Sequence, residues 1–129
     1  MKSLHIATAV LELGAGLALL FSPSETATIM AGGILDTPVA LTVARVGGSG
    51  LIALGLASWL ARNDSSSRAD MALIAALLFF NFAVAAVLAY AGLALHLHGV
   101  ALWPAVMVHT VMGLWCGASL RRSAGTRRA

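Results

Sequence analysis

MALIAALLFFNFAVAAVLAYAGLALHLHGVALWPAVMVHTVMGLWCGASL, residues 71–120, runs for fifty positions without an Asp, Glu, Lys or Arg. A membrane-spanning helix takes about 20 residues, so the stretch is too long for one span and suits two. They would be joined at the short turn His96-Leu97-His98-Gly99, and so short a turn makes the two helices antiparallel neighbours. Before residue 71, residues 4–21 and 39–61 are two further apolar runs of spanning length, interrupted by Glu12 and Arg45 respectively. The whole chain is 60% hydrophobic, with a mean hydropathy of +0.92, a balance foreign to soluble domains. The expectation is an all-α integral membrane four-helix bundle. One domain covers residues 1–120, with spans at about 4–21, 39–61, 70–95 and 100–120, and a basic tail covers residues 121–129.

The distribution of charge sets the expected orientation. Lys2, Arg62, Arg68, Arg121, Arg122, Arg127 and Arg128 fall in the N-terminal segment, the middle loop and the tail, which share one side of a four-span chain. The opposite segments, residues 22–38 and 96–99, carry only Glu25 and Asp36. The positive-inside rule then places both termini in the cytoplasm of a bacterial inner-membrane, multi-pass protein. The net charge of +3 needs no nucleic acid; the tail arginines suit anionic lipid, and the bilayer is the expected partner. Lys2 before an apolar run resembles a signal peptide, but Glu12 interrupts that run, which favours a retained first span.

Local signals punctuate the spans. Ser22-Pro23-Ser24-Glu25 reads as a capping box with Pro at the first helical position, and Gly32-Gly33 as a stop. The result is a short interfacial helix between spans 1 and 2. Asp36-Thr37-Pro38 starts the second span, Ser67 and Asp70 cap the third, and Pro104 either belongs in the first turn of the fourth or kinks it. Trp103 and Tyr90 then sit near the outer interface, Trp59 and Trp115 near the inner one, as aromatic belts do.

Each span holds one strongly polar residue inside its apolar run: Glu12, Arg45, Asn81 and His109. An arginine at bilayer depth costs roughly 2.5 to 3.5 kcal/mol on insertion scales and cannot lose its charge. Two readings fit Arg45: a buried partner, or a guanidinium snorkelling to the headgroups about two turns beyond Pro38. The first gives a Glu12–Arg45 ion pair, with Asn81 and His109 completing a polar cluster inside the bundle. That cluster is either helix-packing glue or a ligand or proton site. In a site, His109 would exchange protons, Glu12 would be base or counter-ion, Arg45 would hold an anion or carbonyl oxygen, and Asn81 would orient it. His5 and Thr8 share the Glu12 face towards the cytoplasmic end, where they either extend a proton path or, for a histidine beside the headgroups, are simply interfacial.

Four residues after each polar group stands a small one: Gly16, Ser49, Ala85 and Gly113. In the second span Arg45, Ser49, Ala53, Ala57 and Ala61 form a stripe flanked by Gly48 and Gly55, a pattern that serves helix packing. The stripe is either the bundle-facing side or the interface of a homo-oligomer. His96 and His98 supply only two ligands on a short turn, so no metal is expected, and nothing in the chain names a cofactor. Cys116 is the only cysteine, which leaves no intrachain disulfide.

Gly14-Ala15-Gly16-Leu17 to Pro23, Ala44-Arg45-Val46-Gly47-Gly48, Leu54-Gly55, Asn81 and His109 together resemble the small four-helix bacterial membrane proteins of DoxX-like type, over nearly the whole chain. The resemblance implies a four-helix bundle in the cytoplasmic membrane, in a family whose members mostly lack an assigned activity. Its better studied members are accessory subunits of redox or stress-related complexes. The leading expectation is a buried polar site that binds a small or lipid-like molecule, in a protein acting alone or as an accessory membrane subunit. The rivals are a small proton-coupled transporter working as a homo-oligomer, and a membrane enzyme acting on a quinone or isoprenoid.

Overall fold

In hydrocarbon every backbone N–H and C=O must find a partner within the chain, and apolar segments of this length satisfy that as helices. The computed structural model describes residues 1–64 and 67–126. Its described residues form five helices and no strand: α1 (Lys2–Phe21), α2 (Pro23–Ala31), α3 (Pro38–Ala61), α4 (Arg68–Leu93) and α5 (Leu102–Thr126). α1, α3 and α4 are long and apolar enough to cross a membrane, which marks the chain as an all-α membrane protein. α5 is as long, with 25 residues, but Pro104, His109 and Thr110 dilute its apolar content.

Most boundaries follow local chemistry. Thr37 caps α3, its Oγ1 accepting from Ala40 N–H at 3.2 Å, with Pro38 at the first helical position. Ser67 caps α4 by accepting from Asp70 N–H at 3.0 Å. Gly32 ends α2 in the left-handed conformation at φ 77°, as a glycine stop should. The capping box at Ser22 does not form. Ser22 also closes α1, its N–H reaching Ala18 O, and at φ/ψ of −132°/59° its side chain makes no capping hydrogen bond to the next helix. Thr26 instead donates its hydroxyl to Ser22 O at 2.7 Å. The basic segment does not begin as a separate tail: Arg121 and Arg122 continue α5, and Arg127 and Arg128 lie outside the described residues.

The four long helices associate as two pairs. α1 packs along α3 and α4 along α5, whereas contacts between the pairs are sparse. Glycine sets the first pair. A Cβ on Gly16 would lie 2.7 Å from Gly48 O, one on Gly48 would lie 2.7 Å from Gly16 O, and one on Gly55 would lie 2.8 Å from Leu13 Cγ. Backbone meets backbone there, the close approach that small residues permit in membrane helices. In the second pair Gly113 makes room for the Phe82 ring.

The pairs are tied at both ends. At the end where α1 begins, Ser123 Oγ lies 3.7 Å from Met1 Sδ, and Leu4, Ile74, Leu77, Met112 and Cys116 form a buried core from α1, α4 and α5. At the other end α2 lies against the turn between α4 and α5. Ala101 N–H donates to Ile29 O at 3.0 Å, and Gly99 is pressed against the Met30 backbone so closely that any side chain would overlap it. Between these ties the two pairs stand apart.

Candidate functional site

The gap between the pairs is a cleft of about 570 Å³, within the range of small-molecule sites. Its walls are mostly apolar, with Leu19, Leu51, Phe80 and Leu88 among them, and α2 contributes Thr26 and Met30 at one end. Three of the four polar residues singled out in the sequence, Glu12, Asn81 and His109, line it together.

Their arrangement follows from helix register. Asn81 is 2% exposed, and its Nδ2 donates to Leu77 O, one turn back, at 2.8 Å. That bond fixes which end of the amide is which, leaving Oδ1 to accept from His109 Nδ1–H at 3.0 Å. With Nδ1 carrying the hydrogen, Nε2 of the neutral ring holds the lone pair. The Phe80 ring meets His109 edge-on, with centroids 6.0 Å apart, and steadies the imidazole between an amide and an aromatic edge. Glu12, on the facing pair, is 4% exposed and makes no hydrogen bond or ion pair to any other described residue.

Arg45 does not join this cluster, and the expected Glu12–Arg45 pair does not form. The guanidinium is on an exposed face of α3, among described residues without an ion-pair partner. The reason is angular. Gly47, two residues on, faces the cleft, and two residues turn a helix by about 200°, so Arg45 points nearly the opposite way. Snorkelling is the reading this position fits. Ser49, Ala53 and Ala57 share that exposed side, Ser49 returning its hydroxyl to Arg45 O at 3.0 Å, while Gly48, Gly55 and Ser58 are the buried residues of α3. Gly16 and Gly113 are buried in their respective helix pairs.

Sequence reasoning missed a second polar feature. His5 Nε2–H donates to Asp70 Oδ1 at 2.6 Å, both side chains fully buried, joining α1 to α4 at the terminal end. Asp70 had a sufficient local explanation as a helix-start residue, which hid its tertiary role. The sequence does place His5 and Thr8 on the Glu12 face of an apolar helix, but nothing in it names Asp70 as the group that meets that face. All three are buried, and His5 Nδ1 and Thr8 Oγ1 have no hydrogen-bond partner among the described residues. His96 and His98 are exposed, and no group of three metal-ligating side chains converges among the described residues.

Comparison with protein-family models, with curated proteins and with solved structures finds no match to the chain.

Proposed function

We propose that this chain is a four-span bacterial inner-membrane protein, both termini cytoplasmic, whose cleft binds a small amphipathic or lipid-like molecule, alone or as an accessory subunit of a larger membrane complex. The observation that carries this reading is the convergence of Glu12, Asn81 and His109 from three helices on one mostly apolar cleft. Pure packing glue would bond its polar groups to one another, as Asn81 and His109 do. Glu12 stands instead at the cleft with no partner among the described residues. α5 serves as the fourth span: 25 residues reach about 37 Å, enough for the hydrocarbon core. Met1 and Ser123 share one end, and Arg62 and Arg68 bracket the loop between α3 and α4, which supports the cytoplasmic assignment. This keeps the chain beside the DoxX-like proteins that its motifs resemble.

Native mass spectrometry of the protein extracted in mild detergent tests the proposal. A bound apolar molecule is expected on the wild type and should be lost in Leu51→Trp, whose indole fills the cleft. An adduct that persists in that variant would place the molecule elsewhere and overturn the assignment.

A second reading, proton-coupled transport by a homo-oligomer, draws on a different observation. His5, Thr8 and Glu12 make a buried polar line from the terminal end to the cleft, and the Ser49, Ala53, Ala57 stripe is exposed and free to meet another copy. Proteoliposome flux decides it: a protein that crosslinks only as a monomer and acidifies no lumen is not a transporter.

A further inference from the structure

The hydrogen-bonding inventory of the cleft is unbalanced. Of its polar side chains, Thr26 turns its hydroxyl hydrogen back to Ser22 O at 2.7 Å, and Asn81 directs one amide hydrogen to Leu77 O at 2.8 Å. His109 gives its Nδ1 hydrogen to Asn81 at 3.0 Å. With Glu12 ionised, what these bonds leave uncommitted is almost entirely acceptor: the two oxygens of its carboxylate and the Nε2 lone pair of His109. The second amide hydrogen of Asn81 is the one donor outside this pattern. Among the described residues no lysine or arginine lines the cleft, and Arg45 lies on the far side of α3.

An acceptor-rich site with one carboxylate and neither lysine nor arginine repels carboxylates and phosphates and attracts a group that brings both positive charge and N–H donors. The surrounding walls, Leu19, Leu51, Phe80 and Leu88, ask for an apolar body behind that group. Glu12 is 4% exposed, so the charge it meets is shielded from competing solvent. We infer that the ligand of this cleft is a lipophilic ammonium, its N–H groups held by Glu12 and His109 and its apolar body lying along the cleft towards α2. The inference rests on the reading of the cleft as a ligand site and names the chemistry of its occupant. The same ammonium chemistry is offered by a free hydrophobic amine and by the headgroup of an aminophospholipid.

Three probes with one apolar cage separate the possibilities: 1-aminoadamantane, a cation at neutral pH, neutral 1-adamantanol, and the anion adamantane-1-carboxylate. Calorimetric titration of the detergent-purified wild type is expected to give binding of the amine at least about tenfold tighter than of the alcohol, and none of the carboxylate. In Glu12→Gln the preference for amine over alcohol should vanish while the alcohol still binds. The comparison on wild-type protein stands alone if that variant does not fold. Equal binding of amine and alcohol, or binding of the carboxylate, overturns the ammonium assignment and leaves the cleft as a ligand site. If none of the three binds, both fall. Repeating the amine titration in phosphatidylglycerol nanodiscs, with and without phosphatidylethanolamine, identifies the source. Competition by phosphatidylethanolamine assigns the site to the lipid headgroup, and unchanged binding assigns it to a free amine.

Discussion

Both ends of the Asn81 amide are committed to the protein, and that commitment fixes the bare nitrogen of His109. Asn81 and His109 were visible in the sequence as polar residues too deep to be interfacial. Their mutual bond was not, because it depends on how α4 and α5 rotate about their own axes. Arg45 shows the converse. Its depth was legible, its direction was not, since one residue of register turns a side chain by about 100°. In a thermal-stability cycle in detergent, Glu12→Gln and Arg45→Met should therefore be additive within about 0.5 kcal/mol. A large coupling energy would restore the ion pair that the structure separates. His5 and Asp70 should behave differently. Removing one partner of a buried pair leaves the other uncompensated, so Asp70→Leu alone should cost about 3 to 5 kcal/mol. The double variant with His5→Leu should recover part of that loss, and a double no better than the single would deny the pairing.

Helices betray themselves by period and composition, and the elements were readable to within about two residues, save that α5 runs on through Arg121 and Arg122 to Thr126. The face each presents was harder. α3 carries two rows of small residues, Gly48 with Gly55 and Ser49 with Ala53 and Ala57. Spacing favours both equally; only the partner's contour chooses, and α1 offers Gly16 and Leu13 to the glycine row. The choice is measurable. Gly48→Val would drive a side chain into the Gly16 carbonyl, which has no freedom to yield, and should lower stability by about 3 kcal/mol or more. Ser49→Val, one position along, should change thermal stability by no more than about 0.5 kcal/mol in detergent-solubilised monomer. Similar effects from the two would mean that α3 is rotated from the position described.

At the scale of the molecule, the fifty-residue run without charge announced two antiparallel helices, and they are there as α4 and α5. It could not announce that they would pair chiefly with each other and leave a gap beside α1 and α3, because nothing in a sequence records the volume between elements. The pairing nevertheless has a consequence for how the chain can be made. Each half owns its interface: α1, α2 and α3 come from residues 2–61, and α4 and α5 from residues 68–126. The covalent link between them is then dispensable. Two peptides divided after Asp64 and translated from separate messages should insert independently, find each other in the bilayer and co-purify through a tag on either one. Across the seam, Asp70 would act as the address by which the second fragment recognises His5 of the first.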